Sequence, residues 1–156
     1  MQRERIVNLR NEAHIGEELT VCGWVRSFRN NQFIALNDGS CLGNLQLVID
    51  RELIEESIQK RLTTGASIRA KGILEKSQGQ GQLTELKVTE LEVLGDADPE
   101  TYPIQMKRHT LDFLREKAHL RFRTSTFGAV FRVRHALNFA VHKFFTDGGF
   151  FQMHTP

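Results

Sequence analysis

The chain has 156 residues, 40% of them apolar and 26% charged, with a formal net charge of +2. That length and apolar content suit one compact domain plus an appendage, and no apolar run is long enough to span a bilayer. The charge is unevenly placed: Lys and Arg number 12 against 16 Asp and Glu in residues 1–100, a net −4, and 9 against 3 in residues 101–156, a net +6. The basic final third suits contact with a polyanion, or equally a solvated helix surface. The acidic part is no general phosphate binder, so nucleic-acid recognition there must rest on local placement. The opening MQRERIV is too charged for a secretory signal, and Cys22 and Cys41 lack metal-ligand spacing. Both read as reduced thiols of a cytoplasmic protein, with a disulfide left open, and Cys22 as a buried structural residue.

In chain order, residues 1–16 are charged and mixed, a short helix or irregular lead-in. A first strand runs from about Glu18 to Phe28, with Leu19, Val21, Gly23 and Val25 sharing one face at a spacing of two. Arg29-Asn30-Asn31 connects it to a second strand in which Ile34 and Leu36 face inward, turning Phe33 outward. Asp38-Gly39-Ser40 is a turn whose glycine can take positive φ. In the third strand Leu45, Leu47 and Ile49 share a face, which turns Gln46 outward. Leu53, Ile54, Ile58 and Leu62 then predict an amphipathic helix over 51–62, with Asp50 as N-cap and Gly65 as its stop signal.

A fourth strand over 66–76 places Ile68 and Ala70 inward and Arg69 and Lys71 outward. The tract SQGQGQ (77–82) reads as a hairpin loop, and a fifth strand follows over 83–94. Leu86 and Val88 share a face but Leu91 and Val93 are out of phase, which predicts a β-bulge between them. With Leu86 and Val88 inward, Glu85 and Lys87 face outward. Three strands, a helix and two strands is the order of a five-stranded OB-fold barrel, whose strand 2–3 face binds oligonucleotides in proteins that use it so.

The acidic, proline-containing GDADPETYP (95–103) reads as a linker, giving a barrel domain over 1–95, a hinge over 96–109 and a second unit over 110–156. That unit holds a short helix over 110–119 and a long one over 126–147. Val130, Val133, Leu137, Ala140, Val141 and Phe144 form the long helix's apolar stripe, with Arg132, Arg134, His135 and Lys143 largely off it. Gly148-Gly149 ends the helix and an extended segment leads to Pro156. Little of the chain remains to cover that stripe.

Phe33, Gln46 and Glu85 thus offer a ring, a carboxamide and a carboxylate on the outside of the barrel, and Arg26 and Arg29 lie near the end of the first strand. Taken singly, each has an ordinary alternative: a ring covered by a loop, a solvent-facing amide, an edge-strand charge, unremarkable strand-end arginines. No histidine has the spacing of a metal site, and none is given a chemical role.

CGWVR (22–26), FIALNDGS (33–40), LQLVID (45–50) and TGASIRAKG (64–72) resemble the OB-fold anticodon-binding domain of class II aminoacyl-tRNA synthetases of the aspartyl, asparaginyl and lysyl subgroup. GQGQ (79–82) and the block from Tyr102 to Phe145 resemble the asparaginyl family in particular, and GGFFQMHTP (148–156) is similar to the end of motif 1, the helix–strand unit of the class II dimer interface. The resemblance implies that Phe33 stacks on the central anticodon base of tRNA-Asn and that Gln46 reads it as uracil. It implies that Glu85 reads the first base, and that Arg26 and Arg29 steer phosphates or stack. It also implies a homodimer through residues 126–156.

Full-length relatives join asparagine to its tRNA with ATP and magnesium, held by motifs 2 and 3, which would lie beyond Pro156. This chain alone is therefore expected to hold no cofactor or metal and to form no adenylate. Three positions depart from the family pattern: Phe122 and Ser125 stand where relatives usually have Pro and Asn, and Phe131 where they have a small residue, so a phenyl is expected to crowd the dimer seam. Two other functions fit the same residues. One is a sequence-tolerant single-strand binder on the barrel, and the other a protein-interaction module acting through helix 126–147.

Overall fold

A computed structural model describes residues 3–50, 54–79 and 81–155. Its contacts divide the chain into two units, residues 1–109 and 110–156. The first is a closed five-stranded barrel of β1 (Glu18–Arg29), β2 (Phe33–Asn37), β3 (Leu45–Val48), β4 (Ser67–Lys76) and β5 (Thr84–Gly95), neighbouring in the order β1-β2-β3-β5-β4. All pairs are antiparallel except β3 with β5, as expected for a connection that crosses over rather than hairpins back.

The alternation in the sequence sets which face is inside. Val21, Val25, Ile34, Leu36, Leu45, Leu47, Ile68, Leu74 and Leu86 are all essentially fully buried and belong to one core. These β-branched and leucine side chains, at a period of two, are buried by closing the sheet on itself. Gly72 faces inward where β4 crosses β5 closely: a Cβ there would stand 2.1 Å from the Lys87 carbonyl oxygen. The bulge in β5 is where the apolar pattern slips. Lys71 pairs with Glu90 and Gly72 with Val88, leaving Thr89 as the extra residue.

The lead-in is part of the core. A single helical turn, α1 (Ile6–Leu9), buries Ile6 and Leu9 completely, and the Thr84 hydroxyl donates to the Leu9 carbonyl at 2.6 Å. Its free N-terminal N–H groups are satisfied from the β2–β3 turn: Ile6 N–H donates to Asp38 Oδ2 at 3.0 Å and Val7 N–H to Ser40 Oγ at 3.0 Å. Partial burial pushes the Asp38 carboxyl up, but hydrogen bonds from the Ser40 hydroxyl, the Ser40 N–H and the Ile6 N–H outweigh it and hold the group below the usual carboxylate range. Asp38-Gly39-Ser40 is thus both the expected turn, with Gly39 at φ +80°, and a cap in trans.

Four expectations are corrected. The helix after β3 is α2 (Glu56–Arg61), beginning after Glu55 rather than after Asp50 and with no side-chain cap; Arg51, Glu52 and Leu53, which the predicted helix included, lie outside the described residues. Ile54 is buried at a bend, and its carbonyl accepts from the Gln59 side chain, so the apolar spacing that suggested a longer helix is divided between a buried anchor at the bend and a short helix. Gly65 is not that helix's stop, since Leu62 already caps it. It sits at φ +96° in a turn closed by Ala66 N–H to Thr63 C=O, and a Cβ there would fall 2.6 Å from the Tyr102 ring. Cys22, on the outward phase of β1, is half-buried rather than buried, and both cysteines are free. The short helix of the second unit is α3 (Leu111–Glu116), ending before Ala118 and His119.

Residues 96–104 lie along the barrel. Arg61 Nε is 2.7 Å from Asp96 Oδ1, the Thr63 hydroxyl donates to the Ala97 carbonyl, and Ile104 is buried.

In the second unit Thr110 caps α3 and Thr124 caps α4 (Ser125–Asp147) with their hydroxyl oxygens, and Gly149 at φ +82° follows the end of α4. The apolar stripe of α4 is open: Val133 is 59%, Leu137 61% and Phe144 73% exposed. Phe131 finds a local setting, its ring 6.2 Å from that of Phe127 and 5.6 Å from the Arg121 guanidinium. Among the described residues no helix is long and apolar enough to cross a membrane.

Candidate nucleic-acid interface

The barrel's register converts scattered outward residues into two adjacent rows. Arg29, Phe33, Val48 and Lys87 stand side by side across β1, β2, β3 and β5. One pleat along, Ser27, Ala35, Gln46 and Glu85 do the same. Ala35, Gln46, Val48, Glu85 and Lys87 each lie between buried neighbours in the chain, so they face away from the core, and their register partners Phe33, Arg29 and Ser27 continue the two rows. Phe33, Gln46 and Glu85 are half-buried, while Arg29 and Lys87 are exposed.

The rows differ in chemistry. The first carries two cations flanking a phenyl ring and Val48, and the second carries neutral polar and acidic groups. Ala35, directly opposite Gln46, is small, and Phe33 and Gln46 are diagonal neighbours across the β2–β3 pair. Diagonal neighbours in an antiparallel pair stand about 7–8 Å apart, which suits a nucleobase spanning them.

Gln46 and Glu85 are tied together: Gln46 Nε2 donates to Glu85 Oε2 at 3.3 Å. The same oxygen accepts from the Ser77 hydroxyl at 2.9 Å and from Gln82 Nε2 at 3.4 Å. Ser77 and Gln82 belong to the β4–β5 hairpin and were not singled out by sequence. Lys87 was placed outward but given no role. Register with Phe33 is the signal that joins it to the face, and that register is not readable from one strand alone.

Arg26 is not in either row. Val25 pairs with Leu36 and Ser27 with Ala35, so Arg26 is the extra residue of a bulge in β1. The bulge also explains why Val25 and Phe28, three apart, both pack toward the core.

The loop that leads into β3 is held from within, Asn37 Nδ2 donating to the carbonyls of Cys41 and Gly43 at 3.2 and 2.9 Å. Past Gln46 and Glu85 their strand neighbours Leu45 and Thr84 open onto a cavity of about 270 Å³, also lined by Arg10, Asn44 and Gln82.

Residues 19–94 match the OB-fold nucleic acid binding domain family of tRNA anti-codon type. The whole chain is 52% identical over 159 residues to the asparagine–tRNA ligase of Parabacteroides distasonis, and 51% identical over 160 residues to that of a Nostoc species. It covers 34% and 35% of those proteins, so it spans about a third of the length of the curated relatives it matches. Among solved structures, the asparaginyl-tRNA synthetase of Pyrococcus horikoshii matches 99% of this chain with 38% of its own, at a TM-score of 0.84 and 21% identity, a likeness of fold. The Entamoeba histolytica asparaginyl-tRNA synthetase in complex with asparaginyl-adenylate matches 90% of this chain with 35% of its own, at a TM-score of 0.78 and 26% identity. Barrel topology, matched domain and similarity along the whole chain agree: the chain is homologous to about a third of the asparagine–tRNA ligases it matches, and it carries an OB-fold nucleic acid binding domain.

Proposed function

We propose that this chain is the anticodon-binding part of an asparagine–tRNA ligase and that it reads the anticodon of tRNA-Asn on the outer face of β2, β3 and β5. The observation that carries the reading is the pair of rows: a stacking ring, an amide and a carboxylate on adjacent pleats, with cations along one side. Phe33 stacks on the central base, and Gln46, which offers both a donor and an acceptor, complements the O4 and N3–H of uracil. Glu85 accepts from the N1 and N2 hydrogens of a guanine at the first position. A carboxylate repels phosphate, so its presence on this face favours base readout over backbone binding. Arg29, joined by Lys87, steers the phosphates. Arg26, on its bulge between Val25 and Ser27, steers a phosphate or stacks on a base.

Joining asparagine to tRNA with ATP and magnesium is assigned to the part of the family protein outside this third. The open stripe of α4 supports homodimer formation through residues 126–156.

The test is binding of the 156-residue chain to the anticodon stem-loop of tRNA-Asn and to loops with single base replacements. Gln46→Ala should weaken the cognate loop by about 1 kcal/mol and a loop lacking the central uracil far less. Glu85→Ala should relax discrimination at the first base while leaving affinity for unrelated loops equal or slightly higher. Equal losses on cognate and replaced loops would make these residues structural and remove the anticodon reading.

A further inference from the structure

The hydrogen bonds around Glu85 have a direction that donor and acceptor chemistry fixes. The Ser77 hydroxyl oxygen receives a bond from the Gly79 N–H at 3.1 Å and another from Gln82 Nε2 at 3.0 Å. Both of those groups can only donate, so the single hydroxyl hydrogen of Ser77 is left for Glu85 Oε2, 2.9 Å away. A carboxylate can only accept, so the end of Gln46 that faces Oε2 must be its amide nitrogen, which settles the orientation of that carboxamide. Three donors therefore converge on Oε2, while among the described residues no hydrogen bond reaches Oε1. Register adds to the constraint, since Gln46 and Glu85 are direct partners in the parallel β3–β5 pair.

We infer that Ser77 is a positioning residue for base recognition, resting on the anticodon reading above. By occupying Oε2 it aims Oε1 outward as the reading atom, and through Oε2 it keeps the Gln46 amide in one orientation. Readout of the first and central anticodon bases is then coupled through a side chain that touches neither. In the proposed complex Oε1 has two lone-pair sites for the guanine N1 and N2 hydrogens. Gln46 keeps its second N–H for the uracil O4 and its carbonyl oxygen for N3–H. Without the Ser77 hydroxyl the Glu85 side chain regains rotamers in which neither oxygen is presented. The cost then falls on discrimination rather than on general affinity, because the phosphate-facing cations are untouched.

The experiment measures fluorescence anisotropy of the full chain with the tRNA-Asn anticodon stem-loop and with a loop whose first base is adenine. Parent, Ser77→Ala, Ser77→Thr, Glu85→Ala and the Ser77→Ala/Glu85→Ala pair are compared, with a thermal melt of each sample. Ser77→Ala is expected to cut the preference for the cognate first base by about five- to tenfold, as loss of one ordinary, partly solvated hydrogen bond implies. Ser77→Thr, which keeps the hydroxyl, should restore most of that preference. In the Glu85→Ala background Ser77→Ala should change nothing further, a null effect that a merely structural serine would not give. Undiminished preference in Ser77→Ala, or an equal loss with Glu85 already removed, overturns the inference while leaving the anticodon reading in place. Undiminished preference in Glu85→Ala removes the anticodon reading itself, and this inference with it. Should Ser77→Ala melt far below the parent, the threonine variant decides: a preference lost despite its native melt overturns the proposal.

Discussion

Replacing Asp38 by alanine removes the acceptor that the Ile6 N–H reaches at 3.0 Å, the Ser40 N–H at 2.9 Å and the Ser40 hydroxyl at 2.6 Å. Loss of an N-cap acceptor costs about 1 kcal/mol within a range of roughly 0.5–2. Bonds to a charged acceptor run higher, at about 1.5–3 kcal/mol, but this carboxyl is only partly buried and the freed N–H groups can reach water. About 1–2 kcal/mol is therefore the expected loss near neutral pH. For a unit of residues 1–109, with roughly 4–8 °C per kcal/mol, melting followed by circular dichroism should fall by about 4–16 °C.

The pH dependence gives a sharper signature. The folded-state pKa of Asp38 is depressed, so its stabilisation is fully present above its unfolded value of about 3.9 and is lost as pH falls through the folded value. The gap between parent and Asp38→Ala should be constant from pH 7 down to about pH 5 and then narrow below about pH 4. Asp38→Asn, which keeps an oxygen acceptor without the charge, should lie between the two at pH 7 and add no acid dependence of its own. A gap that is absent at pH 7, or that stays constant to pH 3, would refute the capping account.

Phe33→Ala should weaken every stem-loop by about 1–3 kcal/mol whichever base is presented, because stacking uses the π-face common to all; a loss confined to one base would point to edge recognition instead. Arg29→Ala and Lys87→Ala should each weaken cognate and unrelated loops alike and lower the slope of log affinity against log salt by about 1, whereas an unchanged slope would place them away from phosphate. Leu137→Lys, in the middle of the open stripe of α4, should shift sedimentation of the chain toward monomer without changing the melt of the barrel; a parent that already sediments as monomer would count against a dimer through this helix.

What was legible in the sequence was whatever a two-residue period controls. Leu45 and Leu47 inward force Gln46 outward, and the same logic places Phe33 and Glu85, because a one-residue slip would bury all three and expose the core. The bulge in β5 was readable because it separates two apolar pairs, Leu86 with Val88 and Leu91 with Val93, that must both find cover. The bulge at Arg26 was not, because Arg26 and Ser27 are both polar and only the three-residue step from Val25 to Phe28 betrays it. α1 is too short to show a period, and its cap comes from a residue 32 positions away. The β4–β5 hairpin that supplies Ser77 and Gln82 has a composition that specifies flexibility, not contacts. Its order comes from Ser77 N–H bonding the Leu83 carbonyl at 2.9 Å and from the carboxylate on the neighbouring strand.

The acidity of the barrel's part of the chain becomes intelligible once the two rows are distinguished. Residues 1–100 carry a net −4, which opposes a polyanion at long range. At physiological salt that repulsion is screened beyond about 8 Å, whereas Arg29 and Lys87 act on any phosphate lying along their own row. On the proposed reading sequence-independent affinity, which arises almost wholly from phosphate neutralisation, is thereby kept low. Preference for one loop over another then depends on whether the second row finds its hydrogen-bonding partners. On that reading a mismatched base would leave the Gln46 carbonyl or Glu85 Oε1 without a partner on a half-buried face, with only the cations of the first row to offset the loss. On the proposed reading the carboxylate at 85 therefore has two roles. It accepts from the right base, and as one of the 16 acids in residues 1–100 it lowers attraction to RNA that presents the wrong one.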